Sequence, residues 1–248
     1  MNAADVENNF KKKLPTVVVL AGGQGTRLKS EIGTVPKILA PIGGKSFLSI
    51  LMMWLKEQEA VRVIFSLGYQ AEQVISALSM LPEKSTIDIS FFVEDFPLGT
   101  LGGLSLVLNN EEINECIVIN GDTIADVNLT SFVSQHRKLG SDSAIIVTQV
   151  EDASRYGSVT FLNENIIDGF KEKVLSNVQM PWVNTGIYYF SSSSIDIIKS
   201  LSYGSIEHDY FSRADVKLGY SKFDCNIFID IGTPSSFYNS VKILGCYL

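Results

Sequence analysis

A glycine-rich segment near the start of the chain carries residue types that bind phosphate. Residues 17–28 read VVVLAGGQGTRL, and VPK follows at residues 35–37. Glycines let the backbone adopt positive φ and bring bare N–H groups close to an anion, so we expect this conformation at Gly22, Gly23 and Gly25. The guanidinium of Arg27 offers a planar fork of donors that matches phosphate oxygens. The segment therefore predicts a buried parallel strand that ends in a phosphate-binding turn.

The segment lacks residues that two known kinds of phosphate-binding turn require. No Gly-Lys-Ser/Thr closes it, as a Walker loop requires, and Leu28 occupies the place of the third glycine of the dinucleotide-binding fingerprint. An NAD-dependent oxidoreductase is therefore disfavoured. Taken alone, the turn could also be an ordinary strand-to-helix connection with a surface arginine.

Two aspartates follow apolar runs that resemble strands. Asp122 ends the run at residues 116–122, which reads CIVINGD, and Asp230 ends IFID at residues 227–230. Each could be a turn residue. Together, beside a phosphate turn, they predict a Mg²⁺ site, since Mg²⁺ takes one or two carboxylates and completes its shell with water and substrate phosphates.

Several polar segments could bind the rest of a nucleotide or a sugar. Residues 94–103 read EDFPLGTLGG, where Gly99 or Gly102 would admit a flat base against the backbone. The RYG, FKEK and NTG segments at residues 155–157, 170–173 and 184–186, and Glu207 further on, carry groups that bind hydroxyls and phosphate. Individually, each is more typical of a loop or an exposed surface. His136 and His208 lack the spacing of metal ligands.

The order of the elements predicts the class of fold. Strand-like runs at residues 16–20, 61–66, 87–93 and 116–120 alternate with helical patterns at 47–58, 71–81 and 100–109, which is the rhythm of a parallel sheet flanked by helices. From residue 143 the pattern becomes β-rich, with runs at 144–150, 158–161, 166–170 and 183–190. In open sheets of this class, ligands bind beyond the carboxyl ends of the strands, where Gly22, Glu94 and Asp122 all lie.

Composition limits the partners and the compartment. The 248 residues have a net charge of -7, which argues against broad nucleic-acid binding. Cys116, Cys225 and Cys246 show no zinc or disulfide spacing and suit a reduced cytoplasm. No apolar stretch is long enough to span a membrane. We expect residues 1–13 to form a polar extension and residues 14–248 to form a single domain, which could assemble as a homo-oligomer.

The motifs in their order resemble those of the sugar-1-phosphate nucleotidyltransferase family. The resemblance covers residues 17–237 and rests on LAGGQGTRL, PK, EDFPLGT, NGD, RYG, FKEK, NTG and DIGTP. It implies a Rossmann-like nucleotidyltransferase fold, with a mixed, mostly parallel central sheet flanked by helices and a small β-rich sugar-binding extension. It also implies a Mg²⁺-dependent transfer of a nucleoside monophosphate from a nucleoside triphosphate to a sugar 1-phosphate, with release of pyrophosphate.

The resemblance assigns roles residue by residue. Arg27, Lys37, Asp122 and Lys173 would be catalytic, and Asp122 and Asp230 would bind the metal. The sugar phosphate would lie against Tyr156, Gly157, Glu172, Lys173, Asn184 and Glu207. The nucleotide would lie against Leu20, Ala21, Gly22, Gly23, Gly25, Thr26, Arg27, Lys37, Glu94, Pro97, Gly99, Thr100 and Gly121.

Within the family, RYG, the FKEK segment without a following proline and DIGTP are most similar to members that use GTP and D-glycero-α-D-manno-heptose 1-phosphate for bacterial surface polysaccharide. Departures include Ile38 after the lysine and Thr185 in the sugar pocket, so mannose 1-phosphate and glucose 1-phosphate remain alternatives. A noncatalytic nucleotide-sugar sensor would be favoured by loss of Arg27, Lys37, Asp122 or Asp230. All four are present.

Overall fold

The computed structural model of the chain describes residues 14–151, 157–163, 166–172 and 180–248, with side chains between 157 and 172 described only at 158–161 and 167. The predicted extension at residues 1–13 lies outside the described residues, as do Tyr156 and Lys173.

Thirteen strands and seven α-helices are present in the described part of the chain. The strands are β1 Thr16–Ala21, β2 Pro41–Ile42, β3 Lys45–Ser46, β4 Arg62–Leu67, β5 Asp88–Val93, β6 Cys116–Asn120, β7 Thr123–Ala125, β8 Ser143–Gln149, β9 Gly157–Asn163, β10 Ile166–Glu172, β11 Trp182–Phe190, β12 Leu218–Lys222 and β13 Phe228–Asp230. The helices are α1 Lys29–Ile32, α2 Phe47–Glu57, α3 Ala71–Met80, α4 Gly99–Asn110, α5 Leu129–Leu139, α6 Ser192–Lys199 and α7 Pro234–Ile243, with a π-helical turn at Ile206–Tyr210.

A mixed sheet of nine strands forms the centre of the molecule. Its main path runs β10-β9-β11-β6-β1-β4-β5, and β8 joins β11 to β12. Strands β6, β1, β4 and β5 are mutually parallel, whereas β11 runs antiparallel to β6 and leads into the β-rich part. The predicted fold class is confirmed. The predicted strands and helices are also confirmed, with small shifts at their ends.

Two apolar layers cover the sheet, one on each face. Val17 and Val19 face a layer that contains Phe47, Trp54 and Phe132, while Val18 faces a second layer that contains Leu104 and Tyr188. Because both faces are buried, β1 shows no alternation of apolar and polar residues. No described helix has the length and apolar content needed to cross a bilayer.

The site lies where the parallel strands end. β1, β5 and β6 lead directly into Gly22, Glu94 and Gly121 at the same edge of the sheet. A separate two-stranded sheet pairs β7 with β13 and aligns Thr123 with Asp230. This pairing brings the second predicted aspartate to the edge from a distant part of the sequence.

Candidate active site

A cavity of about 550 Å³ opens at the carboxyl ends of β1 and β6. Its lining includes every residue predicted to contact the nucleotide: Leu20, Ala21, Gly22, Gly23, Gly25, Thr26, Arg27, Lys37, Glu94, Pro97, Gly99, Thr100 and Gly121. Asp122 also lines it, together with Gln24, Ile38, Ser66, Gly103, Asn120 and Gly232, which had no predicted role. The structure therefore brings residues from five separate sequence motifs to one concave surface.

The glycines of the turn serve different purposes. Only Gly25 adopts positive φ, at 60°, and its carbonyl accepts a hydrogen bond from the Leu28 amide at 2.9 Å. The expectation of positive φ at Gly22 and Gly23 is wrong. A Cβ at Gly22 would lie 2.5 Å from Glu94 Oε1, so glycine is required there for close approach of the carboxylate.

The Glu94 side chain is held beside the glycine-rich turn by the loop that follows Glu94. Its Oε2 accepts a hydrogen bond from the Leu98 amide at 3.1 Å, and its Oε1 lies against Gly22 and Gly68. Burial raises the pKa of the Glu94 carboxyl, although the bond from Leu98 acts in the opposite direction. The side chain is thus a fixed acceptor on the cavity wall.

Glycine is required at Gly99 and Gly102 because a neighbouring segment packs closely against both residues. A Cβ at Gly102 would lie 2.7 Å from the Ser202 carbonyl oxygen, and Gly99, with a φ of 76°, lies against the backbone of Gly204. Only Gly99 also lines the cavity. The interpretation that Gly102 admits a base is therefore replaced by one of backbone packing.

Lys37 lies between the two predicted metal-binding aspartates. Its ammonium donates a hydrogen bond to Asp122 Oδ2 and lies 3.5 Å from Asp230 Oδ1. Burial favours the neutral amine, but the two carboxylates raise the pKa of Lys37 above its usual value. Burial likewise opposes ionisation of Asp122, yet the attraction of Lys37 holds the pKa of Asp122 below its usual value.

The ionised form of Asp230 is less well stabilised than that of Asp122. Its Oδ1 accepts the Gly232 amide at 2.6 Å. Burial and the nearby charge of Asp122 nevertheless raise the pKa of Asp230 to about 6. One ammonium thus does not fully compensate two neighbouring carboxylates.

The aspartate pair has the donor chemistry of a Mg²⁺ site. Two carboxylates lie at one ammonium, which leaves a net negative charge in the cluster, and carboxylate oxygens are hard ligands suited to that ion. The described residues contain no group of three histidine, cysteine or acidic side chains around one point. A bound ion would therefore take the remainder of its ligands from water and substrate, as Mg²⁺ commonly does in phosphate sites.

The predicted sugar-phosphate residues are only partly described. Gly157 and Glu172 pair on β9 and β10, where only their backbone is described. Asn184 and Glu207 are brought together by Tyr188, whose hydroxyl contacts both side chains. Sequence reasoning missed Tyr188 because a tyrosine inside an apolar strand is indistinguishable from an ordinary core residue.

The motifs, the fold and the cavity agree with comparisons to known proteins. A family model described as nucleotidyl transferase matches residues 16–244. The chain belongs to the nucleotidyl transferase family. It is 31% identical over 225 residues to the D-glycero-alpha-D-manno-heptose 1-phosphate guanylyltransferase of Campylobacter jejuni, covering 90% of this chain and 96% of that protein.

Two further proteins show comparable similarity to this chain. The mannose-1-phosphate guanyltransferase of Yarrowia lipolytica is 32% identical over 89% of this chain, which spans 61% of that longer protein. The crystal structure of HddC from Yersinia pseudotuberculosis superimposes with a TM-score of 0.82 at 32% identity, covering 95% of this chain and all of the other. A second structure of HddC, complexed with GMP-PN, gives the same TM-score.

Proposed function

We propose that the protein transfers GMP from GTP to a sugar 1-phosphate and releases pyrophosphate. The observation that carries this proposal is one cavity in which the glycine-rich turn, Glu94 and the cluster of Lys37 with Asp122 meet. Guanylyltransferase activity in the relatives that match nearly the full chain supports the reaction class.

The choice of GTP is supported by the chemistry of Glu94. An ionised carboxylate only accepts hydrogen bonds, and guanine presents an N1–H and an exocyclic amino group on one edge. Uracil and thymine flank their single N3–H with two carbonyl oxygens, which a carboxylate repels. Adenine has no ring N–H on that edge. The fixed acceptor at Glu94 therefore favours guanine among the four bases.

The chain's own residues would act by alignment and by charge neutralisation. A phosphate oxygen of the sugar 1-phosphate attacks the α-phosphorus of GTP, the new P–O bond forms, and the bond to pyrophosphate breaks. The nucleophile is already ionised at neutral pH, so no protein base is needed. Backbone amides of the turn, Arg27 and Lys37 would hold the triphosphate in line and offset its charge.

Asp122 and Asp230 would hold Mg²⁺, which supplies positive charge to the phosphates when it is bound. Lys173, which lies outside the described residues, would contact the phosphate of the acceptor, with Tyr156, Gly157, Glu172, Asn184 and Glu207 around the sugar. The reaction is proposed for the cytoplasm, where GTP is available.

For the acceptor we propose D-glycero-α-D-manno-heptose 1-phosphate. The support is the near-complete coverage of the heptose enzyme from Campylobacter jejuni, whereas the chain spans only 61% of the mannose enzyme from Yarrowia lipolytica. Mannose 1-phosphate is the second candidate, because its enzyme has comparable identity to this chain.

The test is a panel of the nucleoside triphosphates against heptose, mannose and glucose 1-phosphates, read as Mg²⁺-dependent release of pyrophosphate. We expect the highest kcat/KM for GTP with the heptose phosphate. Absence of release with every pair would overturn the proposal and favour a nucleotide-sugar sensor. Faster release with mannose 1-phosphate would change the acceptor and leave the reaction class intact.

A further inference from the structure

Tyr188 has a hydroxyl group at the meeting point of two predicted sugar-binding residues. The side chain extends from β11 into an apolar layer and is fully buried. Its hydroxyl donates to Glu207 Oε1 at 2.5 Å and accepts from Asn184 Nδ2 at 3.0 Å. Glu207 and Asn184 are thus held by a group that is itself out of reach of solvent.

The hydrogen bonds fix the direction in which each polar group points. A carboxylate only accepts, so the single proton of Tyr188 is directed to Glu207. The Asn184 amide must then present its NH₂ group to Tyr188, and its Oδ1 accepts the Gly186 amide at 2.9 Å. Ser205 Oγ donates to the other oxygen, Glu207 Oε2, at 2.7 Å.

The same hydroxyl is connected to the cavity wall through Asn120. Burial and Glu207 raise the pKa of Tyr188, whereas hydrogen bonding from the Asn184 and Asn120 amides acts to lower it. A Cβ at Gly186 would lie 2.5 Å from Asn120 Nδ2, so glycine leaves space for this amide. Asn120 lines the cavity, and its Oδ1 is buried without a hydrogen-bond partner in the described part of the chain.

The segment that carries Glu207 is also joined to a residue that lines the cavity. The Ile206 amide donates to Thr100 Oγ1 at 3.0 Å, and the Leu101 amide donates to the Gly204 carbonyl at 2.9 Å. Thr100 lines the cavity. Tyr188 therefore connects Asn120 on β6 with the Glu207 segment, and each of these is, or is bonded to, a residue that lines the cavity.

We propose that Tyr188 is a positioning residue that sets the orientation of Asn184 and Glu207 for the hydroxyls of the sugar 1-phosphate. The inference rests on the proposed function and deepens it. Loss of the Tyr188 hydroxyl leaves Asn184 held only through Gly186 and Glu207 only through Ser205. The sugar-binding side of the site thereby loses part of its preorganisation, while the glycine-rich turn is unchanged.

The test compares Tyr188→Phe with the wild type in steady-state kinetics, with each substrate varied separately. We expect KM for the sugar 1-phosphate to rise about tenfold, as for loss of a hydrogen bond to a charged group. KM for GTP should stay within about twofold, because the glycine-rich turn and Glu94 do not contact Tyr188.

The matched control is Tyr189→Phe. Tyr189 is the next residue on β11, is also buried, and also donates to a glutamate, Glu115, at 3.0 Å, but it lies in the other apolar layer. Both KM values should match the wild type in this variant. An equal rise of KM for the sugar phosphate in both tyrosine variants would indicate a general effect on packing and would overturn the inference.

A double-mutant cycle with Glu207→Ala provides a second measurement. If Tyr188 acts in part through Glu207, Tyr188→Phe should raise KM for the sugar phosphate by a smaller factor in the Glu207→Ala background than in the wild type. If the factors by which the two changes raise KM simply multiply in the double variant, the positioning role is rejected. An unchanged KM in Tyr188→Phe would reject it as well. Failure of the wild type to turn over any sugar phosphate would instead reject the proposed function.

Discussion

At the scale of single residues, the cluster of Lys37 with Asp122 and Asp230 determines how charge is arranged in the ligand-free site. Two carboxylates share one ammonium, and the less satisfied carboxylate has its pKa raised to about 6. Positive charge from Mg²⁺ would complete the balance, and removal of either aspartate would leave the phosphates of the substrates less well neutralised.

The first prediction concerns Asp122. Asp122→Ala should lower kcat by at least roughly a thousandfold, because it removes a proposed metal ligand from the point where charge develops. The protein should remain folded, as judged by its melting temperature, since Asp230 still pairs with Lys37. Asp126→Ala, which changes an exposed acid four residues further on, should retain activity. Near-normal turnover of Asp122→Ala with Mg²⁺ would exclude the assigned metal role.

The second prediction concerns Glu94 and the choice of base. Glu94→Gln should lower kcat/KM for GTP by about tenfold and raise the relative rate with UTP, because an amide both donates and accepts hydrogen bonds. Competition between GTP and UTP in one reaction measures the ratio directly. Asp95→Asn removes the neighbouring exposed charge and should leave the ratio unchanged. A ratio that is equally insensitive to Glu94→Gln would contradict base recognition by this carboxylate.

At the scale of elements, local patterns predicted most of the fold. The apolar runs of β1, β4 and β6 and the helical spacing of α2 and α3 were sufficient to locate them. Tyr188 and Tyr189 show where such prediction ends. They are adjacent and chemically identical, and the pleat of a strand places them on opposite faces of the sheet. Their hydroxyl partners, Glu207 and Glu115, come from distant segments that no local pattern specifies.

The site was predictable where a motif ends a strand, as at Gly22, Glu94 and Asp122. The position of Lys37 between two aspartates was not, because it depends on the pairing of β7 with β13. The reason why glycine is needed at Gly22 and Gly102 was also not predicted. Each depends on a segment that is remote in sequence and packs within contact distance.

The third prediction concerns the docking of β12 on the sheet. A Cβ at Gly219 would lie 2.7 Å from Ser141 Oγ and 2.8 Å from His136 Nδ1, so Gly219→Ala should destabilise the protein by about 1–3 kcal/mol. Gly245→Ala is the matched control, because no described atom other than those of its chain neighbours lies within 4 Å of a Cβ there. Chemical denaturation of the two variants measures the difference, and equal midpoints would show that β12 adjusts without strain.

At the scale of the whole molecule, one buried histidine links stability to pH. The two ring nitrogens of His136 lie 3.1 Å from Ser141 Oγ and 3.0 Å from Ser221 Oγ. Burial lowers the pKa of His136 from 6.5 to about 4, so the folded protein holds it neutral. The contribution of neutral His136 to the free energy of unfolding is fully present above pH 6.5 and is lost as the pH falls toward 4. In that range only the unfolded chain takes up the proton.

The fourth prediction follows from this linkage. Between pH 7 and pH 5, the free energy of unfolding should fall by roughly 2 kcal/mol through His136 alone. His136→Gln cannot take up that proton, so the decrease over the same interval should be smaller by this amount in the variant. Urea denaturation at each pH measures both proteins. Parallel curves for the two would show that His136 does not govern this dependence.

The pairing of β7 with β13 also has a kinetic consequence. It closes a loop of about a hundred residues, and contacts of such long range form only after much chain entropy has been lost. The aspartate pair should accordingly form after the pairing of β4 with β1 and with β5, which joins residues only about 26 to 46 positions apart. Amide protons of β4 and β5 should gain protection from hydrogen exchange before the Ile231 amide, which donates to the Asp122 carbonyl. A refolding chain would thus pair β1, β4 and β5 before it brings the two aspartates together.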